Sequence, residues 1–463
     1  MDYSITTIAE AMSGAVIQDS EKRVSNVTID SRECTLGSLF VAFTGEKVEG
    51  HNFVINAAEN GASGAIVKKI PDVFIDKKDL DFGIIQVDDQ EEALLRFAAW
   101  HRAKCDVKMV CVTGSAGKTT TKDMIASVVK EKYVTIKTEG NRNNELGVPL
   151  TLLSIDADTE VAVVEMGMRG FGQIKRLAQA AKPDISLITN IGEAHMELLG
   201  SKSNIAKAKW EIVDGLNALG LAILNGDDEE LKKLIPSAGV DFVTYGFNDT
   251  NSVFATDIES VSNGTYFSVN INDEKLGHGV IEKMFVPIPG RHNVQNALAA
   301  VCVGLAQKMD GQSIARGLAS VESSAMRMKF YDVNGYTVID DSYNANPEAM
   351  KCAIEAASYY AASKRRVVAI LGGMVELGDY SKKGHELVGE YVSLHADVLI
   401  TTGELAKVIG EAAQAHGMGD NVHICANNEE ALSYAKSLIS ENDVVLVKGS
   451  RAFGTDQIVK GLI

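Results

Sequence analysis

The chain has 463 residues, of which 46% are hydrophobic, and 45 Lys and Arg against 62 Asp and Glu give it a formal charge of −17. Such a length predicts several domains rather than one core, and the acidic balance argues against nucleic acid as a partner, because phosphate backbones bind basic surfaces. No apolar run reaches the ~18 residues of a membrane span, and the start, Met1-Asp2-Tyr3-Ser4, lacks a secretory signal pattern. We therefore expect a cytoplasmic protein without membrane insertion.

In chain order, the first hundred residues carry short apolar runs at 24–29, 39–43, 64–67 and 83–87, followed by a helical stretch at 91–101. From Val107 onward, buried strands at 109–112, 161–164 and 185–189 alternate with helical stretches. Runs that are apolar on both faces are typical of parallel sheets covered by helices. Residues 241–289 interrupt this rhythm by polar and apolar alternation, which predicts an antiparallel β-appendage before a helix at 293–305.

A third series of alternating strands and helices begins near Met326, with strands at 337–339, 367–371, 398–401 and 444–447. This pattern predicts a doubly wound, Rossmann-like C-terminal domain. The predicted fold class is therefore α/β with three domains. The central domain has a P-loop-type parallel sheet, with helices on both faces and the β-appendage. We place the domains at residues 1–103, 104–322 and 323–463.

A glycine-rich turn between a predicted strand and a predicted helix is the strongest nucleotide-binding signal. Its residues are Gly114, Ser115, Ala116, Gly117, Lys118, Thr119 and Thr120. Glycines let backbone N–H groups approach phosphate oxygens, and a helix N-terminus adds partial positive charge. Lys118 can then reach the β- and γ-phosphates, and the Thr119 hydroxyl can coordinate Mg²⁺. Val112 stands where the full P-loop pattern has another glycine, so this is the shortened form of the motif. The alternative is an ordinary turn between a strand and a helix.

Two polar side chains follow predicted strands at one edge of the central sheet. Glu165 ends the run 161–164, and His195 lies in the loop after the run 185–189. Ligands of open parallel sheets bind outside the carboxyl ends of the strands, so both side chains are candidates for a metal ion or a phosphate. The alternatives are that Glu165 caps the turn at Gly167 and that His195 is a surface residue.

Lys209 falls on the apolar side of a helix predicted at 204–219. At ~100° per residue, it shares one stripe with the apolar residues Ile205, Ile212, Leu216 and Leu219. Burying an ammonium group costs free energy unless the group is paired or chemically altered. Lys209 therefore either extends its stem to water or faces the site, as a charge against phosphate or as a carbamylated metal ligand.

Taken together, these residues resemble the Mur ligase superfamily. The resemblance covers essentially the whole chain and includes the segment 190–195 and the pair Ala208-Lys209. Longer matching segments are Thr-Glu-Gly-Asn-Arg-Asn-Asn at 138–144, Gly-Val-Pro-Leu at 147–150, Val-Val-Glu-Met-Gly at 163–167, Pro-Gly-Arg-His-Asn-Val-Gln-Asn at 289–296, Asp-Asp-Ser-Tyr-Asn-Ala-Asn-Pro at 340–347, Leu-Gly-Gly-Met-Val-Glu-Leu-Gly at 371–378 and Lys-Gly-Ser-Arg at 448–451.

Within the superfamily, these segments are most similar to the ligase that joins D-alanyl-D-alanine to a UDP-N-acetylmuramoyl tripeptide. The resemblance implies ATP-dependent formation of that amide through an acyl phosphate, in peptidoglycan synthesis and hence in cell-wall biogenesis, cell shape and division. It also implies ATP, two Mg²⁺ ions, a carbamylated Lys209 and a monomer. The implied catalytic residues are Lys118, Lys209, His195 and Glu165, and the implied metal ligands are Thr119, Glu165, His195 and Lys209.

The resemblance also distributes the ligands over the chain. Besides the phosphate loop, it assigns the nucleotide to Asn141, Asn144, His292, Asn293, Asn296, Arg327 and Asp341. It assigns the UDP-sugar and the peptide substrates to Ser31, Arg32, Thr44, Gly45, Tyr343, Asn344 and Asn346. One departure is Glu49-Gly50-His51, where the family usually has Asp-Gly-His.

Two alternatives remain open at this point. The first is another ligase of the superfamily, such as one that adds lysine or diaminopimelate, or a folylpolyglutamate synthase. Relatives that add diaminopimelate carry Asp-Asn-Pro-Arg, whereas Asn346-Pro347 is followed here by Glu348. The missing arginine would have been a bidentate carboxylate clamp, so its absence favours the dipeptide ligase. The second alternative is a nucleotide-dependent switch without ligase chemistry.

Overall fold

The structure is a computed structural model. It describes residues 1–44, 49–70, 80–237, 239–261, 263–322, 326–362 and 365–463. Within these residues, three β-sheets organise the chain. Each sheet has helices packed on it, because strands that are apolar on both faces must bury both faces.

Five of the described strands form the first sheet. In spatial order they are Ala15–Gln18, Gly83–Gln86, Gly64–Val67, Ser38–Val41 and Asn26–Thr28. The first pair is antiparallel and the others are parallel. The accompanying helices are Ile5–Met12, Val54–Glu59 and Gln90–Arg102. The strand Ala15–Gln18 is an addition to the sequence prediction, because it is short and mostly exposed.

The central sheet has nine strands among the described residues. Their spatial order is Gly277–Val286, Gly264–Asp273, Val253–Val261, Asp241–Gly246, Leu221–Asn225, Ile185–Ile188, Lys108–Thr113, Val161–Glu165 and Thr135–Lys137. The helices of this region are Lys118–Lys130, Gly147–Leu153, Gln173–Ala181, Met196–Leu199, Lys202–Asp214, Glu229–Leu234, Arg291–Ala306 and Gly311–Ala319.

Both faces of the central sheet are covered, as predicted. In the strand Lys108–Thr113, Val110 and Val112 join a core with the helices Lys118–Lys130 and Arg291–Ala306. Met109 and Cys111 point the other way, into a core with the helices Gln90–Arg102 and Gln173–Ala181. The first of these cores continues into the C-terminal sheet and the second into the N-terminal sheet.

The β-appendage is more closely joined to the central sheet than predicted. The strand Asp241–Gly246 pairs in parallel with Leu221–Asn225, and Val253–Val261 begins in parallel beside it. Antiparallel pairing, which the alternation indicated, joins Val253–Val261 to Gly264–Asp273 and Gly264–Asp273 to Gly277–Val286. The reason is burial, because Val243 and Tyr245 pack into the main core.

Six of the described strands form the C-terminal sheet, in the order Lys329–Val333, Tyr336–Asp341, Val444–Lys448, Val367–Gly372, Val398–Thr402 and Val422–Cys425. All neighbouring pairs except the first are parallel. The helices here are Pro347–Ala361, Ser381–Val392, Glu404–Ala413, Asn428–Leu438 and Asp456–Leu462. The sequence analysis missed the two edge strands, which are partly exposed.

The predicted end of the helix that carries Lys209 is wrong. This helix runs from Lys202 to Asp214. Gly215 follows it, and the chain then turns so that the Asn217 N–H donates to the Pro183 carbonyl at 2.9 Å. Leu219 is consequently fully exposed. Ile205, Lys209 and Ile212 are nevertheless buried on one side, as the stripe predicted.

No helix among the described residues is long and apolar enough to span a membrane.

Candidate functional site

The phosphate loop lies where the strand Lys108–Thr113 leads into the helix Lys118–Lys130. Gly114 has a φ of +153°, and a Cβ atom there would fall 1.8 Å from Thr189 Oγ1. Gly117 has a φ of +76°, and a Cβ atom there would lie 2.7 Å from Asn296 Oδ1. Both positions therefore require glycine, because neighbouring segments close on the loop at these two points.

Residues 189–192 hold the loop in shape from outside. The Ser115 N–H donates to the Asn190 carbonyl at 3.0 Å, and the Ala116 N–H donates to Asn190 Oδ1 at 2.9 Å. The Thr189 hydroxyl donates to the Ala116 carbonyl at 2.6 Å. The segment that leads to His195 thus fixes the phosphate loop by backbone and side-chain hydrogen bonds.

Glu165 ends its strand fully buried and faces the start of the phosphate-loop helix. The Thr119 hydroxyl donates to Glu165 Oε2 at 2.7 Å, and Asn143 Nδ2 donates to Oε1 at 2.7 Å. The Gly167 N–H donates to the Asn143 carbonyl instead, so Glu165 does not cap that turn. Oxygen donors of this kind suit Mg²⁺, so Thr119 and Glu165 fit a magnesium ion beside the phosphates.

Two lysine amines converge on one carbonyl oxygen. Lys118 Nζ and Lys209 Nζ each donate to the Gly114 carbonyl, both at 2.9 Å. Lys209 is only 1% exposed, so its stem does not extend to water. Burial, and then the charge of Lys118, lowers the pKa of Lys209 well below its usual value. Burial also lowers the pKa of Lys118, although Glu165 opposes this. Negative charge from phosphate or from a carbamate would relieve the repulsion.

His195 lies at the start of the helix Met196–Leu199 with a left-handed backbone, φ +64°. Its Nδ1 atom is buried and has no hydrogen-bond partner among the described residues. Glu376 Oε2, from the C-terminal domain, lies 2.7 Å from that nitrogen. Because its ring lies within hydrogen-bonding distance of Oε2, His195 lowers the pKa of the Glu376 carboxyl. His195 is therefore part of a contact between two domains and is not a simple surface residue.

A cleft of about 1070 Å³ separates the central sheet from the C-terminal sheet. Its lining includes Lys118, Glu165 and His195, and most of the residues that the resemblance assigned to the nucleotide and the peptide. The central side contributes Asn141, Asn144, His292, Asn293 and Asn296. The C-terminal side contributes Arg327, Asp341, Tyr343, Asn344 and Asn346.

Asn293 and Asn296 are buried rather than part of a solvated edge, whereas Asn141 and Asn144 are exposed. Asn293 Nδ2 donates to the Pro289 carbonyl at 2.8 Å, and Asn296 Nδ2 donates to Asn293 Oδ1 at 3.3 Å. Burial, with the nearby charge of Lys448, lowers the pKa of His292 to about 4. Its imidazole is therefore neutral at physiological pH.

The C-terminal side places charge at the carboxyl ends of its strands. Lys448 Nζ donates to Asp341 Oδ2 and, at 2.9 Å, to the Asn344 carbonyl. Burial raises the pKa of Asp341, although Lys448 opposes this. The Arg327 guanidinium lies 4.2 Å from the centre of the Tyr343 ring. Asn346 Oδ1 accepts the Ala349 N–H at 2.9 Å, so this residue caps the helix Pro347–Ala361.

No group of three or more His, Cys, Asp and Glu side chains is arranged to hold a metal ion in the part of the chain that the structure describes. A cation in this cleft would therefore also need the hydroxyl of Thr119, a modified Lys209 or oxygens of a bound phosphate.

Comparison with known proteins gives a consistent result along the chain. Residues 23–99 match the Mur ligase family catalytic domain, 112–304 the Mur ligase middle domain, and 326–451 the Mur ligase glutamate ligase domain. The UDP-N-acetylmuramoyl-tripeptide–D-alanyl-D-alanine ligase of Bacillus subtilis (strain 168) is 35% identical, over 99% of this chain and 98% of the relative.

The chain belongs to the Mur ligase family.

Two solved structures of this family extend the comparison to the fold. MurF from Acinetobacter baumannii has a TM-score of 0.88 at 29% identity and covers 100% of this chain and 99% of its own. MurF ligase from Thermotoga maritima, solved in complex with ADP, has a TM-score of 0.80 at 26% identity, covering 95% and 97%. The predicted family and fold class are both confirmed.

Ser31, Arg32 and Thr44 are not among the residues that line the cleft of this Mur ligase. Ser31 is buried at the start of the 3-10 turn Ser31–Glu33, and Arg32 pairs with Asp30 at 2.6 Å with its side chain exposed. The Thr44 hydroxyl donates to Glu49 Oε1 at 3.0 Å. Gly45 lies outside the described residues. Glu49, at the position of the family departure, accepts the His51 N–H and caps the turn Gly50–Phe53.

Sequence reasoning gave no role to several residues that shape the site. Asn143 and Asn190 contact Glu165 and the phosphate loop, and Lys448 and Glu376 lie on the C-terminal side of the cleft. For Lys448 a signal was available, because it ends a buried strand on the ligand side of a parallel sheet. For Glu376 no sequence signal was available, because its contact with His195 exists only in the three-dimensional structure.

We predict that Gly114→Ala weakens nucleotide binding by about tenfold or more, a change of about 1.4 kcal/mol. The added methyl group collides with Thr189 Oγ1, so the loop must move away from its phosphate-binding shape. Titration with ADP by calorimetry measures the effect. Gly170→Ala is the matched control, because a Cβ atom at Gly170 meets no described atom within 4 Å. Equal ADP affinity in the Gly114 variant and the wild type would contradict the prediction.

Proposed function

We propose that this protein is an ATP-dependent ligase that joins the tripeptide carboxylate of a UDP-N-acetylmuramoyl tripeptide to the amino group of D-alanyl-D-alanine. The observation that carries the proposal is that the phosphate loop and the carboxyl ends of the C-terminal strands face each other across the same cleft. Relatives that carry this activity in their names are similar to the chain over nearly its full length.

In this proposal each of the three domains binds one of the substrates. Residues 1–103 bind the UDP-sugar through Ser31, Arg32, Thr44 and Gly45. Residues 104–322 bind ATP, and residues 323–463 close on the nucleotide and bind the dipeptide. In this proposal the protein acts as a monomer, as the family resemblance implies, and it acts in the cytoplasm.

The chemistry follows from the poor reactivity of a carboxylate. A carboxylate oxygen attacks the γ-phosphorus of ATP, the bond to the β-phosphate oxygen breaks, and ADP leaves. The acyl phosphate that forms has phosphate as a good leaving group. The neutral amine of the dipeptide then attacks the acyl carbon, and the tetrahedral intermediate expels phosphate, leaving an amide and releasing a proton.

The chain's own groups promote these steps by alignment and by charge. Lys118 and the N-terminus of its helix offset the negative charge of the β- and γ-phosphates. Asn293 and Asn296, fixed by their own hydrogen bonds, define the wall against which the nucleoside lies. Arg327 and Asp341 approach from the other domain, so the reacting groups are aligned when the two sheets face each other.

Two cations fit this proposal. Thr119 and Glu165 would hold the first, and His195 with a carbamylated Lys209 would hold the second. Bound Mg²⁺ supplies charge neutralisation on phosphate oxygens. The lowered pKa of Lys209 favours the neutral amine, which is the form that reacts with carbon dioxide. A carbamate there would also remove the repulsion between two ammonium groups at the Gly114 carbonyl.

The C-terminal side of the cleft favours a dipeptide as the amine substrate over a free amino acid that has a side-chain carboxylate. Glu348 follows Asn346-Pro347 at the start of the helix Pro347–Ala361, is exposed and lines the cleft. A carboxylate at this position repels a second carboxylate, whereas an arginine would bind it.

We expect phosphate release from ATP and Mg²⁺ only when UDP-N-acetylmuramoyl tripeptide and D-alanyl-D-alanine are both present. Coupled phosphate assay and mass spectrometry of the UDP-pentapeptide measure this directly. If a different amino acid in place of the dipeptide drives phosphate release, the protein is still a ligase, but D-alanyl-D-alanine is not its amine substrate. Nucleotide binding without any acceptor-dependent release would favour the switch alternative.

We predict that Lys209→Ala loses most of the activity and that short carboxylic acids restore part of it. The reason is that the added acid can place a carboxylate where the carbamate oxygens would lie. Lys207→Ala is the matched control, because Lys207 is an exposed lysine on the same helix. Absence of rescue at any acid concentration, in a variant that still binds ADP, would contradict a carbamylated Lys209.

A further inference from the structure

His195 and Glu376 meet across the cleft in an unusual local conformation. Both residues have left-handed backbones, with φ values of +64° and +65°. Left-handed backbone is uncommon for side chains other than glycine, asparagine and aspartate, and it persists only where the surroundings impose it. The fold therefore holds both side chains in place from their own domains.

The C-terminal domain fixes the segment that carries Glu376. The Met374 N–H donates to His385 Nε2 at 3.0 Å, and the Val375 N–H donates to Ser450 Oγ at 3.2 Å. His385 itself is buried, and its Nδ1 lies 2.7 Å from the Ser381 carbonyl. Glu376 is thus attached to a rigid part of the C-terminal sheet.

The same segment packs closely on the short helix that His195 begins. The Glu197 N–H lies 3.4 Å from the Glu376 carbonyl oxygen, to which it donates. A Cβ atom at Gly378 would fall 2.9 Å from Glu197 Cα. The backbones of the two domains therefore touch on both sides of the contact between His195 and Glu376.

The two side chains form a close ion-pair contact, and the separation of its two atoms is also near that of adjacent ligands on one cation. His195 Nδ1 is buried without a hydrogen-bond partner among the described residues, yet Glu376 Oε2 lies 2.7 Å away. Adjacent ligands of an octahedral Mg²⁺, each about 2.1 Å from the ion, are about 3 Å from one another. A cation that contacts both atoms would give the nitrogen a partner and would neutralise the charge of the carboxylate.

We propose that Glu376 is a ligand of the second divalent cation together with His195, so that the C-terminal domain completes a metal site of the central domain. The inference rests on the proposed function, which supplies the cation and the nucleotide. Its consequence is that tight binding of the second cation requires the C-terminal domain to be in contact with the central domain. Cation binding and domain closure are then thermodynamically linked.

The first test counts bound Mn²⁺ by electron paramagnetic resonance of the full chain with a non-hydrolysable ATP analogue. Wild type should bind two ions per chain, and Glu376→Gln should bind one as before and the other at least about tenfold more weakly. Asp379→Asn is the matched control, because it removes an exposed carboxylate from the same segment. Glutamine keeps an oxygen that can accept a hydrogen bond, so a role in orienting His195 alone would largely survive.

A second variant separates direct ligation from positioning. In Glu376→Cys, a thiolate replaces the carboxylate, so the site should prefer Cd²⁺ to Mg²⁺ and give a thiolate-to-Cd²⁺ absorption band. Asp379→Cys corrects for the six native cysteines and for a new exposed thiol. An identical Cd²⁺ band in both cysteine variants would overturn ligation by Glu376.

The outcomes distinguish this inference from the proposed function. If His195→Ala loses the second Mn²⁺ and Glu376→Gln keeps it with wild-type affinity, Glu376 is not a ligand and the ligase proposal is untouched. If wild type binds no nucleotide-dependent Mn²⁺ at all, the proposed function itself fails. Loss of the same single ion in both variants, with no further loss in the double variant, is the result we expect.

Discussion

The carbonyl oxygen of Gly114 accepts hydrogen bonds from two lysine amines, and the rest of the site is arranged around that concentration of positive charge. Placing two ammonium groups at one buried oxygen costs free energy unless anions or deprotonation relieve it. Burial lowers the pKa values of both amines, and the charge of Lys118 lowers the pKa of Lys209 further. Phosphate oxygens would lower the free-energy cost, so the loop is selective for an anionic ligand.

The fold brings this charge to the cleft because parallel strands of the central sheet and of the C-terminal sheet end at the edges that line it. Thr113, Glu165 and Ile188 end neighbouring strands of the central sheet, while Asp341 and Lys448 end neighbouring strands of the C-terminal sheet. The main hydrophobic core includes residues of both sheets. Packing across the domain boundary therefore supports the cleft in which the two sets of polar side chains face each other.

The sequence was sufficient for the features that depend on local pattern. The alternation of buried strands and helices predicted the α/β fold, and the apolar stripe around Lys209 predicted that its amine is buried. The same reasoning failed at the end of that helix, because Leu216 and Leu219 continue the stripe in sequence while Gly215 and the Asn217 hydrogen bond end the helix before them. The periodicity of apolar residues gives no information about the tertiary contacts that end a helix.

Contacts between distant segments were beyond sequence reasoning. Nothing in the neighbourhood of Glu376 indicates that His195 lies 2.7 Å away, because the contact depends on how the C-terminal sheet packs on the central one. Lys448 is a similar case, because it donates to Asp341 and Asn344, which lie at the end of a different strand and just after it. The family resemblance included both segments, 371–378 and 448–451, but it did not indicate which residues they contact.

The central claim is that the cleft transfers the γ-phosphate of ATP to a carboxylate. Its most direct test is a reaction with UDP-N-acetylmuramoyl tripeptide labelled with ¹⁸O in the terminal carboxylate, followed by mass analysis of the released phosphate. Our account predicts that one ¹⁸O atom appears in the phosphate for each amide formed, because the acyl phosphate loses its bridging oxygen with the leaving group. Unlabelled phosphate accompanying amide formation would contradict carboxylate activation and the account built on it.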